Sequence, residues 1–263
     1  MSPTLETWHR HADSAELDLL IGNSFHFAEH PNESNAPRVL LDRQPWDEVI
    51  SGVDWIIRAV TAREWPHRAW LQLVNSKLVR PRGARFIEGM GHQDIPWTMQ
   101  LALAARRVGF VRDPLYGYRM NLASVMNDPS KAAVLRRARS YIPVIQHIAT
   151  TANHIPRRSP VRKALLRQAN HEGGHFLGLV RKRFQDEADR SQVAREFLES
   201  GLSRVMFRGA VDGHDFWRAL RGWVTLRRHV AIRAGRHSAN GDESLAVTPK
   251  GHSHQHLPRR ATA

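Results

Sequence analysis

His171-Glu-Gly-Gly-His175 has the spacing of a zinc-binding helix. Histidines at i and i+4 share one helical face and can hold Zn²⁺, with Glu172 between them as the general base of a metalloprotease. Three features weigh against this. Two adjacent glycines each cost a helix about 1 kcal/mol. A chain with 16 histidines makes chance matches common. No third ligand follows at a familiar spacing, and the candidates His214 and Glu199 have no supporting context. The flanking Ala164–Ala169 and Phe176–Val180 instead read as one packed helix. His252, His254 and His256 fall in a tail too polar to build a core. Glu16-Leu-Asp18 and Glu187-Ala-Asp189 have no strand leading into them and read as solvated helix positions. Asp94 stands two residues before Pro96, where an N-cap is worth about 1 kcal/mol.

These residues need elements to position them. Leu17 to Gly22 is a short apolar run closed by glycine, the pattern of a buried strand, and Ser24–Phe27 reads as its extension. Residues 29–38 read as a loop. Trp46, Val49 and Ile50 keep helical spacing after Pro45. Beyond Gly52, Trp55, Ile56, Ala59 and Val60 predict a second helix. Trp70 to Val74 fits a strand or the first turns of a helix, and Pro81-Arg-Gly83 fits a turn. From Asp94 a helix is expected, with Pro96 in its first turn and Gly109 after its end. Phe110-Val111 and Leu115–Tyr118 read as short strands, with Tyr116 and Tyr118 expected to turn one face to the core. Residues 130–152, 160–188, 191–206 and 214–234 read as helices, and the tail from Arg236 as disordered. The fold expected is therefore α/β over 1–128, all-α over 129–235, and a disordered tail over 236–263.

The net charge of +14 is uneven. Residues 1–130 hold 14 Lys/Arg against 15 Asp/Glu, and residues 131–263 hold 25 against 10. A basic C-terminal half attracts phosphate-rich partners such as anionic headgroups, lipid-linked diphosphates or nucleic acid, or it is simply a solvated arginine-rich surface. No nucleic-acid-binding motif accompanies the charge, so nucleic acid is the least favoured of these. The absence of cysteine fits a reducing compartment. No apolar run approaches the roughly 18 residues of a membrane span, and the charged N-terminus has no secretory h-region. A cytoplasmic protein is expected, with the inner face of the cell membrane as a peripheral docking site.

The most informative segment is Phe86-Ile-Glu-Gly-Met-Gly-His-Gln-Asp-Ile-Pro-Trp-Thr98. Arg107 to Arg119, containing Pro114-Leu-Tyr-Gly-Tyr-Arg119, and Ser124-Val-Met-Asn127 follow it. Asp18-Leu-Leu-Ile-Gly-Asn23, Trp70-x-x-Leu73 and Lys77-Leu78 precede it in order. This succession resembles the acceptor-side half of family-2 glycosyltransferases of the GT-A fold, over roughly residues 8–128. The resemblance implies an inverting transfer from a nucleotide-sugar donor to a glycan or lipid-linked acceptor, with Asp94 as catalytic base. Glu88, His92, Gln93, Trp97, Tyr118 and Arg119 would line or support the acceptor pocket. Gln93 replaces the family's glutamate and brings a hydrogen bond without charge. The resemblance also implies a divalent cation, Mn²⁺ or Mg²⁺, held on the donor diphosphate by an Asp-x-Asp motif. That motif and the Val-Asp-Asp-Gly strand end of the nucleotide-binding half have no counterpart here. The expectation is an N-terminally truncated, GT-A-like chain without transferase activity by itself. The alternatives are a zinc metalloprotease-like protein, and a non-catalytic basic helical protein that binds membranes or nucleic acid.

Overall fold

The computed structural model describes residues 2–27, 39–80, 85–121, 124 and 128–243, the last stretch beyond 231 as helical backbone only. The loop over 29–38, the turn at 81–83, most of Ser124–Asn127 and the tail histidines lie outside the described residues.

Helix α1 (Pro3–Ser14) leads into strand β1 (Leu19–Ile21), all three residues of which are buried. β1 lies at the centre of a small mixed sheet. It runs antiparallel to β3 (Gln72–Val74) and parallel to β4 (Val108–Phe110), pairing Leu20 with Leu73 and with Gly109. A strand with neighbours on both sides, buried on both faces, should read as a continuous apolar run. Leu19, Leu20 and Ile21 do.

Ser24–Phe27, rather than extending β1, forms a separate strand, β2, paired in parallel with β5 (Tyr116–Arg119). Buried Asn23 makes the break between the sheets. Its amide donates to the carbonyls of Leu41 and Arg112, both at 3.0 Å, and its Oδ1 accepts from the amides of Ser24 and Leu41.

The apolar spacing at Trp46–Ile50 does not make a helix. Asp47 has φ 65°, and Ile50 forms an antiparallel bridge with Val108. Ser51 then accepts from the Asp54 amide as N-cap of α2 (Gly52–Thr61), so the helix starts after the apolar cluster. A 3₁₀ turn (Ala69–Leu71) precedes β3, so Trp70–Val74 is in part helical turn and in part strand. α3 (Ser76–Val79) and α4 (Asp94–Ala104) complete the first half. Glu16 and Asp18 are not on a helix. Glu16 has φ 48°, and the Asp18 carboxylate accepts from the amides of Arg106 and Arg107, tying β1 to the start of β4.

The second half is helical among its described residues: α5 (Lys131–Asn153), α6 (Pro160–Lys182), α7 (Glu187–Glu199), α8 (Leu202–Arg208) and α9 (Gly213–Glu243). The helix expected over 160–188 stops at Lys182. The helix expected over 191–206 divides at Gly201, whose φ of 73° breaks the ladder. The tail expected to be disordered from Arg236 carries α9 on to Glu243. No proline falls there, and propagating an existing helix adds one backbone bond per residue fixed.

α6 is the hub, packing on α2, α5, α8 and α9. Phe176 and Phe197 stack at 4.3 Å inside this bundle. The hydrophobic core is continuous across 128–130, from Leu19 and Trp55 through Met99 to Ile145 and Phe176. No helix of the described residues is long and apolar enough to cross a membrane.

Candidate functional site

Asp94 is the first residue of α4 and is half-buried. The capping position itself is Gln93. Burial raises the Asp94 pKa above the ordinary carboxylate value, and it stays raised although His92, its own amide, Arg68 and the Ile95 amide each favour the ionised form. A carboxylate that is desolvated yet held by donors can still accept a proton.

His92 has φ 55°, a strained backbone for a residue with a Cβ. Its ring packs on Tyr141 of α5 at 4.3 Å, and its Nε2 is buried without a hydrogen-bond partner. Burial lowers its pKa below the ordinary imidazole value, against the pull of Asp94. Trp97 stacks on Phe86 at 4.6 Å. Glu88 is exposed and lines a cavity of about 610 Å³ with Met90, Leu135, Arg139 and Ser140. Tyr118 is half-buried and Tyr116 exposed, so neither joins the core. Both stack on Trp70, at 4.9 and 4.8 Å. Arg119 is exposed at the end of β5.

Several residues of this region carry no signature in the sequence. Arg68 interacts with both Asp94 and Tyr118, and so connects the start of α4 to β5. His67 is pulled down to about 4, mainly by burial, and its Nδ1 is buried without a partner. Tyr141 stands between the rings of His92 and His175, 6.4 Å from the latter.

His171, Glu172 and His175 look like a competing motif when the chain is read linearly, yet α6 carries two of them to this same region. His175 acts electrostatically on His67 and His92, and Glu172 acts on Tyr141 while feeling Asp94. Glu172 is buried, accepts from the Gln168 amide at 2.6 Å, and is pushed up to about 7, chiefly by desolvation. The two glycines do not break this helix. A Cβ at Gly173 would stand 2.7 Å from Met206 Sδ, and one at Gly174 2.8 Å from Arg218 Cδ. A Cβ at either position would displace a side chain of α8 or α9, so glycine lets those side chains lie against α6.

The histidines of that motif have different surroundings. His171 Nε2 lies 3.6 Å from Asp215, which is fully buried and bonded to Arg167 and Arg218. The other ring, His175, faces Tyr141. Among the described residues the ligand atoms that converge belong to Asp212, His214 and Asp215. Arg63 and Arg167 pair with Asp212, and Arg167 and Arg218 with Asp215, so the positive charge a cation would bring is already supplied. This set does not fit a donor-bound divalent cation, and Asp94 is not part of it. Glu187 and Asp189 on α7 are likewise engaged, with Arg190 and His229 and with Lys131.

No family model matches the chain. It is 25% identical over 162 residues to the uncharacterized glycosyltransferase YibD of Escherichia coli strain K12, a match covering 61% of this chain and 47% of that protein. The chain thus spans about half the length of this curated relative. Its fold is similar to that of S. aureus TarS 1-349 in complex with UDP-GlcNAc, with a TM-score of 0.53, 12% identity, and coverage of 88% of this chain and 64% of the other. The chain is thus similar in sequence to one glycosyltransferase, and its mixed α/β fold is similar to that of another.

Proposed function

We propose that the chain carries the acceptor side of an inverting, family-2-type glycosyltransferase site of GT-A architecture, with Asp94 as general base. The observation that carries the reading is the desolvated carboxylate of Asp94 at the start of α4, with Arg68 and His92 beside it, in a chain similar to a glycosyltransferase. A sugar hydroxyl is a weak nucleophile. As its oxygen bonds to the anomeric carbon, its proton passes to the Asp94 carboxylate. The bond from that carbon to the diphosphate oxygen breaks on the opposite face, and the diphosphate leaves with the electron pair. Such a base contributes about 10²–10⁴-fold, most effectively with its pKa raised toward the working pH. Arg68 keeps the carboxylate ionised until then. Gln93 and His92 hold the acceptor hydroxyl, and the Phe86–Trp97 and Trp70–Tyr118 stacks give sugar rings apolar faces to lie on. Glu88 and Arg119 bound the acceptor groove from either side.

In this reading the acceptor is a glycan or lipid-linked saccharide, the donor a nucleotide-sugar, and the basic helical half a peripheral contact with the inner membrane surface. The structural neighbour's UDP-GlcNAc supports this class of donor. In this reading residues 1–263 do not by themselves supply the donor site with its cation-binding carboxylates. The test is nucleoside-diphosphate release from a panel of nucleotide-sugars with Mn²⁺, for residues 1–263 alone and with a donor-binding half supplied in cis or in trans. Turnover is expected only with the donor half. Turnover by residues 1–263 alone would overturn this division of the site.

A further inference from the structure

A second cavity, of about 440 Å³, opens between α6 and α9. That volume suits a small ligand. Its charged walls are of one sign: among the described residues Arg63, Arg181, Lys182, Arg218 and Arg221 line it, and no carboxylate does. Asp212 and Asp215, just behind the wall, answer Arg63 and Arg218. The side chains of Arg181, Lys182 and Arg221 make neither a hydrogen bond nor an ion pair among the described residues, and all three residues are exposed. Three unpaired cations converging on one concavity repel one another, a cost that an anion of matching size removes. The wall is also shaped for close approach. Gly174 and Gly178 keep α6 bare where it faces the cavity, and a Cβ at Gly178 would touch nothing within 4 Å. The buried Nε2 of His171, at the inner wall, has no hydrogen-bond partner.

We propose that the cavity between α6 and α9 is a binding site for a phosphate-bearing ligand, a diphosphate by size and charge, gripped by Arg181, Lys182 and Arg221 with His171 at its inner end. Guanidinium forks donate paired hydrogen bonds to phosphate oxygens, and the lysine adds a point charge. His175 lines the same cavity and packs toward Tyr141 and His92, so the bound phosphate lies one ring stack away from the Asp94 region. The site stands on its own residues and holds whether or not Asp94 is a catalytic base. Bound anion would also raise the pKa of His171, which burial and then the charge of Arg218 pull down to about 4 in the free protein.

Calorimetric titration of the full chain with inorganic pyrophosphate tests this. The comparison is with Arg181→Gln/Arg221→Gln and with the charge-matched control Arg157→Gln/Arg158→Gln in the exposed α5–α6 turn. All four positions are exposed, so melting temperatures should match. The pocket variant is expected to bind at least about tenfold more weakly, since two charge-assisted contacts are lost, and the control about as well as wild type. The histidine NMR signal of His171 should shift to higher pKa with pyrophosphate bound. A parallel arm uses phosphatidylcholine vesicles with and without phosphatidic acid. Vesicle binding that pyrophosphate displaces and the pocket variant lacks identifies a lipid-borne phosphate as the source, and pyrophosphate binding without it identifies a soluble one. Equal weakening in pocket and control variants would overturn the proposal. So would absence of pyrophosphate binding together with absence of pocket-dependent vesicle binding.

Discussion

Glu172 stands buried on α6 with one neutral donor, Gln168, as its hydrogen-bond partner, and its pKa of about 7 has a consequence for stability. The folded state holds this proton to higher pH than the unfolded chain does. Stability from this group is therefore complete below pH 4.5, falls as pH rises to about 7, and is flat beyond, for a total on the order of 3 kcal/mol. Glu172→Gln should melt higher than wild type at pH 8, with the difference fading below pH 4.5. Thermal melts across pH read this out, and a pH-independent difference would contradict it. His67 and His171 act in the opposite sense. Both are lowered from 6.5 to about 4, so the stability of their neutral rings is present above pH 6.5 and is lost as pH falls through about 4. Asp94 resembles Glu172 in kind, with burial the first cause of its raised pKa. Asp94→Asn should accordingly raise the melting temperature at neutral pH while removing the base, since a desolvated carboxylate opposes folding where it serves chemistry. At this scale the sequence displays Asp94, His92 and Trp97, because their motif is contiguous. It conceals Arg68, His67 and Tyr141, which arrive from separate segments and have no local pattern. His171-Glu-Gly-Gly-His175 is legible as a motif, but its placement near Asp94 depends on how α6 packs on α5 and α5 on α4.

Helix crossings rest on glycine at a few places. A Cβ at Gly52 would collide with the Ala102 carbonyl where α2 meets α4, and one at Gly209 with the Leu166 carbonyl at the end of α8. Gly52→Ala and Gly209→Ala should each destabilise by about 1–3 kcal/mol, as overpacking does. Gly178→Ala, in open space within α6, should instead stabilise by about 0.5–1 kcal/mol through backbone entropy and helix propensity. Denaturant unfolding of the three variants checks both signs. Element types that the apolar spacing resolves, β1, α2, α4, α5 and α6, are readable in the chain. Trp46–Ile50 misleads because its spacing suits a helix while its backbone closes a bridge to Val108. The separation of β2 from β1 depends on the side chain of Asn23, which no periodicity reveals.

The whole molecule joins an α/β layer to a helical layer through one core. α2 packs on α6, and α4 on α5, so neither layer is a free-standing body. Heating should give a single cooperative transition, with near-ultraviolet and far-ultraviolet circular dichroism coinciding. Two resolved transitions would contradict the shared core. The same packing brings the Asp94 region, His175 and the basic cavity into one line across the molecule, which makes an acceptor-side role testable. The decisive measurement is nucleoside-diphosphate release, with a donor-binding half present, by wild type and by Asp94→Asn at matched folding. The account predicts a loss of about 10²–10⁴-fold in the variant. Equal turnover by the two proteins, or none by wild type, would contradict it.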